Sequence, residues 1–253
     1  RADQAVGVLR PELARLTGLP ARTRVLAGLH DSNAALLAAR GFPEIAGHEA
    51  TVLSTGTWFI AMRSPQQPVD FAALSERRDC LVTVDVAGRP VPSARYMGGR
   101  ELELLGARID RHGTAGVSEV LASGAMLLPS QVQGCGPFPK AIARWIDEPS
   151  DTVARNAAIA LYAALMTDAS LELIGAQERL LIEGRFARSE IFTRALAALR
   201  PGTRVWTASE EADVSFGALR LAVPDLPPRG TLTEILPLAG DIRGYRDRWK
   251  QQL

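Results

Sequence analysis

The stretch Ala157–Met166, ten consecutive apolar residues, restricts this chain most. It lies inside a longer helical pattern that opens at Asp151 or Thr152 and runs to about Leu173, with Gly175 as its stop. Asp and Thr cap helix starts, and glycine ends helices in the left-handed conformation. Ten residues are about half of what a helix needs to cross a hydrocarbon layer of ~30 Å. The segment therefore reads as a buried core helix, not a membrane span.

The other elements can be read around that helix. Pro11 opens a short helix with Leu13 and Leu16 on its apolar side, stopped by Gly18 and Pro20. Arg24–Leu29 (RVLAGL) reads as a buried strand, and Asp31 or Ser32 caps a helix running through Asn33 to Arg40. Glu49–Ser54 and Trp58–Arg63 read as strands joined by a tight polar turn, Thr55-Gly56-Thr57. Cys80–Val86 reads as a third strand with Gly88-Arg89-Pro90 as the next turn, which predicts an antiparallel meander. Gly98-Gly99 opens a helix to about Ile109, a second helix covers Val117–Ser123, and residues 127–150 read as a loop punctuated by Pro and Gly. Beyond the long helix come a strand Arg179–Ile182, a helix of about Ser189–Leu199, a strand Arg204–Thr207 and a helix of about Val214–Val223. The Pro-rich residues 225–253 are expected to form a surface tail. Three antiparallel strands followed by alternating helices and parallel strands is the element order of an RNase H-like, or actin-like, α/β domain with helices on both faces of a mixed sheet.

Composition removes several functions. The 253 residues carry 29 basic and 28 acidic side chains, a formal net charge of +1, which gives no global attraction for nucleic acid or an anionic membrane surface. Cys80 and Cys135 form neither a CxxC pair nor a His-rich cluster, so a disulfide scaffold and a zinc knuckle are both disfavoured, and a reducing cytoplasm is the expected location. No basic and apolar leader opens the chain at Arg1.

Two local arrangements could carry chemistry. In the Ser54-Thr55-Gly56-Thr57 turn, glycine allows close backbone approach, and the flanking hydroxyls with N–H groups make an anion cradle, although Thr and Gly also suit a plain hairpin turn. His30-Asp31 stands at a strand-to-helix junction, where a carboxylate can accept a proton from a substrate hydroxyl, although Asp31 also suits a simple N-cap. His30 beside it reads more simply as a structural residue, and His48 and His112 lack partners for a metal site, so no metal ligand is assigned. Gly98-Gly99, Gly184 and Gly217 each stand beside a helix start, where phosphates are favoured and glycine is common in any case.

Taken in order, GVLRPELARLTGLPARTRVLAGLHDSNAALL, VLSTGTWFIAM, MGGRELELL, RLLIEGRFARSEIFTRALAAL and SFGALRLA resemble the C-terminal domain of the FGGY family of carbohydrate kinases, over nearly the whole chain. The HD-x-x-A and STGTW segments are most similar to the deoxysugar branch, the rhamnulokinases and fuculokinases. The resemblance implies that Asp31 is the general base toward the sugar hydroxyl, with His30, Ser32 and Asn33 near the sugar. It implies that Thr55, Gly56 and Thr57 match a phosphate motif, and that Gly99 and Glu103 lie near the nucleotide. Gly184 matches the first glycine of an adenosine motif, and Gly217 with Ala218 matches a small-residue helix start closing that pocket. Two positions depart from the family pattern: Arg185 stands where a second glycine is usual, available to stack on a base or pair with a phosphate, and Ser189 replaces an asparagine. The DxGTxxxR-like phosphate motif of the family's N-terminal domain does not occur in the chain.

The expectation is thus the nucleotide-binding half of an ATP-dependent sugar kinase using Mg2+, inactive without an N-terminal domain, of which residues 1–22 are the lead-in. A homo-oligomer is left open. The alternative is a non-catalytic domain of the same fold that binds a nucleotide or a partner protein.

Overall fold

The computed structural model describes residues 1–109, 111–209 and 214–253. It opens with an antiparallel ribbon of β1 (Ala5–Val8) and β2 (Arg24–Leu26), bridged by α1 (Pro11–Thr17). β1 escapes the sequence reading because Gly7 interrupts its apolar run. β2 is not the buried strand expected: paired with β1 alone, it leaves Val25 exposed. α2 (Asp31–Ala39) follows, and its N-cap is His30, whose backbone is extended, while Asp31 already belongs to the first helical turn.

β3 (Ala50–Thr55) and β4 (Phe59–Ser64) form the expected hairpin. The meander is not formed, because β6 (Pro90–Tyr96) inserts between β4 and β5 (Cys80–Val84). Proline normally argues against an inner strand, having no N–H to donate. Here Pro90 and Pro92 lie opposite Val84 and Val82, at pairs where β6 owes β5 no hydrogen bond. α3 (Gly98–Leu104) stops short of Ile109, since Gly106 turns the chain with a positive φ of 62°. α4 (Val117–Ser123) is as expected, but the supposed loop 127–150 holds part of a second ribbon, β7 (Met126–Leu128) and β8 (Arg144–Ile146).

α5 (Thr152–Leu173) is the core helix, capped by Asp151 Oδ2, which accepts the Ala154 N–H at 2.8 Å, and buried on all sides from Asn156 to Leu171. β9 (Arg179–Gly184), α6 (Glu190–Leu199), β10 (Arg204–Ala208) and α7 (Val214–Ala222) then alternate as expected. The surface tail is corrected. β11 (Leu232–Glu234) pairs antiparallel with β10, and α8 (Ile242–Gln251) buries Tyr245 and Trp249, the latter donating its indole N–H to Leu127 O at 2.7 Å. The prolines of this region flank these elements rather than interrupting them.

Among the described residues the main sheet has the order β11-β10-β9-β3-β4-β6-β5, with β3, β9 and β10 mutually parallel. Strand alternation gives it two apolar faces. Val52, Met62, Leu181 and Trp206 meet Leu36 and Ala39 of α2 on one, while Leu53, Ala61, Ile182 and Val205 join the α5 and α6 side chains on the other.

Two clamps orient α2. Arg40 Nη1, just past its end, donates to Asp85 Oδ2 at 2.9 Å beyond the end of β5, and Arg179 at the start of β9 donates to Glu44 O. Both anchors lie at the amino edge of the parallel strands. Asp31, at the other end of the helix, is therefore carried about 12 Å toward their carboxyl edge, at ~1.5 Å per residue. No helix among the described residues is long and apolar enough to cross a membrane.

Asp85, the acceptor in this clamp, is also held by its own turn. Burial pushes its carboxyl up, but hydrogen bonds from the Arg89 side chain and from the Arg89 and Ala87 N–H groups outweigh it and hold the acid below the usual carboxylate range. A depressed folded value means stabilisation that is full above ~4 and lost as pH falls through the folded value. Asp85→Asn should cost about 1–3 kcal/mol at neutral pH in urea unfolding, and the gap to the parent should close below pH ~4. A gap independent of pH would contradict the role of the Arg89 and Ala87 hydrogen bonds in holding the Asp85 carboxylate.

Candidate functional site

The carboxyl edge of β3, β9 and β10 is where an open α/β sheet offers a ligand crevice. β3 runs out into Thr55-Gly56-Thr57, β9 into Gly184-Arg185, and β10 toward Ser209, with Thr55 in register with Gly184. β6, antiparallel to β4, delivers Gly98-Gly99 to the same edge. α7 brings Gly217 against Ala34, one turn into α2 from Asp31. One edge of the sheet thus gathers the residues singled out in the sequence.

Their roles differ from residue to residue. The Thr55 hydroxyl is buried and fully engaged, donating to Glu183 O at 2.5 Å and accepting the Phe186 N–H at 3.1 Å. The Gly56 N–H is spent on Trp58 O at 3.0 Å. The open cradle expected from both hydroxyls and free N–H groups is therefore reduced to Thr57. Thr57 is exposed, and among the described residues neither its N–H nor its hydroxyl makes a hydrogen bond.

The glycines act first by close packing. A Cβ on Gly99 would strike the Gly56 carbonyl, and one on Gly184, where φ is +87°, would come within 2.5 Å of Thr55 O. Gly217 is buried with its missing Cβ toward the Ala34 carbonyl, so it joins α7 to α2 and lines neither cavity at this edge; Ala218 beside it is exposed. Ser189 is also buried, its hydroxyl donating to Ile109 O at 2.7 Å, which commits it to the start of α6.

Two cavities flank Gly184. One, of about 170 Å³, is lined by Gly99, Glu103, Arg108, Arg185 and Phe186 among others. Arg185 is exposed there, its guanidinium 5.1 Å from the Phe186 ring centroid, and the charge of Glu103 is met by Arg100 at 2.7 Å. The other, of about 220 Å³, is lined by Glu183, Gly184, Arg188, Thr207 and Ser209 among others. Arg108, Arg188 and Ser209 carry no motif, and only their place at strand and helix ends could have marked them. Glu101, also unmarked, is buried in α3. Burial pushes its carboxyl up, only partly opposed by donation from Tyr162 at 2.7 Å and from the Val132 N–H at 3.2 Å.

Asp31 is exposed, its side chain 68% accessible. His30 Nδ1 lies 2.7 Å from Asp31 Oδ1, and the Ser32 N–H lies 2.6 Å from the same oxygen but 3.3 Å from His30 Nδ1. His30 Nδ1 accepts the Ser32 N–H as the cap of α2. Oδ1 accepts both the Ser32 N–H and, at 3.3 Å, the Ser32 hydroxyl, while Oδ2 makes no hydrogen bond among the described residues and remains able to accept one. No group of three or more His, Cys, Asp and Glu side chains among the described residues could hold a metal ion.

A family model described as carbohydrate kinase FGGY, C-terminal domain, matches residues 47–229. Among curated proteins none matches significantly. The crystal structure of a carbohydrate kinase from Novosphingobium aromaticivorans is 55% identical, with a TM-score of 0.94 over 100% of this chain and 56% of its own. A xylulose kinase from Brucella ovis is 17% identical, with a TM-score of 0.76 over 99% of this chain and 55% of its own. Plasmodium falciparum glycerol kinase with ADP is 12% identical, with a TM-score of 0.68 over 98% of this chain and 54% of its own. The chain spans little more than half the length of these proteins, and the last two likenesses bear on the fold alone. The match over most of the chain and the first of these structures together establish that the chain belongs to the FGGY carbohydrate kinases, in the family of their C-terminal domain.

Proposed function

We propose that this chain is the nucleotide-binding half of an ATP-dependent sugar kinase and supplies its general base. The observation that carries the reading is the placement of an exposed carboxylate with one uncommitted oxygen, Asp31, at the same sheet edge as the free N–H and hydroxyl of Thr57. Phosphoryl transfer rests chiefly on positioning and charge stabilisation, which suits an edge rich in backbone turns and poor in nucleophiles. Ser32 holds Oδ1, and Asp31 Oδ2 takes the proton of the sugar hydroxyl as that oxygen bonds to the γ-phosphorus and the bond to the ADP oxygen breaks.

The Thr57 N–H and hydroxyl would meet the terminal phosphates. Arg185 stands at the cavity wall where it can stack on a base or pair with a phosphate. Mg2+ would neutralise phosphate charge, and with no metal-holding group of three or more His, Cys, Asp and Glu among the described residues its ligands would be phosphate oxygens and water.

The rest of the sugar pocket belongs to the remaining half of the enzyme. Residues 1–28 suit contact with that half, because Val6, Val8, Leu16 and Leu19 stand exposed there. The His30-Asp31 and STGTW segments favour a deoxysugar substrate. The free cysteines fit a reducing cytoplasm.

In the enzyme with both halves, Asp31→Asn should lower kcat by about 10²–10⁴ while the KM for ATP stays unchanged. Sugar-dependent ADP release at the parent rate would remove the base assignment and favour a non-catalytic domain. A pair of variants separates the two threonines. Thr57→Ala should weaken nucleotide binding about tenfold with stability unchanged, whereas Thr55→Val should cost about 1–3 kcal/mol of stability, read by calorimetry and urea unfolding respectively. Unaltered affinity in Thr57→Ala would take the phosphate contact away from this turn.

A further inference from the structure

We infer that Arg95 is a positioning residue for the turn that carries Thr57, acting through the ring of Trp58; this rests on the phosphate contact proposed for Thr57. The turn is lightly tied for the work assigned to it. Gly56, Thr57 and Trp58 join β3 to β4, held by the Gly56 N–H on Trp58 O at 3.0 Å and the Arg100 N–H on Thr57 O at 3.3 Å. Trp58 is the one large side chain of the three. It is half-buried, yet it joins the apolar core on neither face of the sheet. What its ring meets is Arg95, whose guanidinium carbon lies 5.0 Å from the ring centroid.

The sheet sets up that contact. Arg95 lies opposite Ile60 in the β4–β6 ladder, and Trp58 precedes Ile60 by two residues. Both side chains therefore leave the sheet on the face that carries α2, as diagonal neighbours within reach of long side chains. Asp79 then aims the guanidinium. Its Oδ1 accepts from Arg95 Nε at 3.4 Å, and its carbonyl accepts the Arg95 N–H at 3.2 Å. Asp79 is itself fixed, because its Oδ2 accepts the Gly136 N–H at 2.7 Å and its backbone sits at a φ of +55°, where aspartate is tolerated better than most residues. One carboxylate thus ties the loop at Gly136 to the arginine that covers Trp58.

A partly exposed cation over a tryptophan ring is worth a factor of about two to five. That is little for the whole fold, but the turn has few other restraints. Holding Thr57 in place before a ligand arrives lowers the ordering cost of binding, so the same factor should appear in nucleotide affinity.

Amide exchange at Gly56 in the ligand-free chain tests the inference first, since that N–H is the one closed across the turn. Arg95→Met should speed its exchange about two- to fivefold with thermal unfolding unchanged, and Arg95→Lys, which keeps a cation for the ring, should restore most of the protection. Calorimetry with magnesium and ATP tests it second. Arg95→Met should weaken binding by the same factor, and should add nothing further in a chain that already carries Trp58→Leu. Gly56 exchange unchanged in Arg95→Met, or equally fast in the Met and Lys variants, would overturn the assignment. So would effects of Arg95→Met and Trp58→Leu that multiply, because Arg95 would then act by a route other than the ring. The exchange measurement needs no nucleotide, so it succeeds or fails separately from the phosphate contact, which Thr57→Ala tests.

Discussion

One buried hydroxyl holds the working edge of the sheet together. Thr55 Oγ1 donates to the Glu183 carbonyl and accepts the Phe186 N–H, closing the end of β3 onto the turn that leaves β9. Parallel strands cannot be joined by a hairpin, so their ends must be matched by contacts of this sort. Gly184 makes the closure possible, since a side chain there would collide with the Thr55 carbonyl and would have to adopt a positive φ. Gly99 does the same for the approach of α3 to Gly56. Once these contacts are in place, Thr57 is left outermost, and two cavities open on either side of Gly184.

Asp31 is placed by a different chain of causes. Its helix is packed on the opposite face from the core helix, pinned at its far end by Arg40 and Asp85, and pressed by α7 through Gly217 and Ala34. The carboxylate needs no strained backbone to reach the sheet edge. It is carried there by helix length and kept there by packing. The Ser32 N–H and hydroxyl then fix one of its oxygens and leave the other for work.

Much of this was legible in the residues. The long helix, the β3–β4 hairpin and the alternation from β9 to α7 have strong periodic patterns and clear capping signals, and they appear where the patterns place them. The misses have physical reasons. β6 carries prolines that single-strand reasoning must reject, yet their partners lie at pairs that require no donor. α8 follows a Pro-rich stretch that masks its amphipathic pattern, although Trp249 and Tyr245 mark its buried side. At the site, residue type alone could not separate a hydroxyl that binds a ligand from one that ties two strands, as Thr57 and Thr55 illustrate. Likewise Gly217 matched a pocket-closing position but serves helix packing, a distinction visible only in what its missing side chain would meet.

The central claim is that nucleotide sits at the carboxyl edge, between the Thr57 turn and the turn after Gly184. Amide hydrogen exchange with and without magnesium and ATP tests it most directly. Protection should rise at Gly56–Trp58 and Gly184–Arg188 and stay unchanged at the amino-edge cavity formed by Asp168, Gln177 and Arg200. Nucleotide binding with protection confined to that amino edge, and none at the Thr57 turn, would contradict the account.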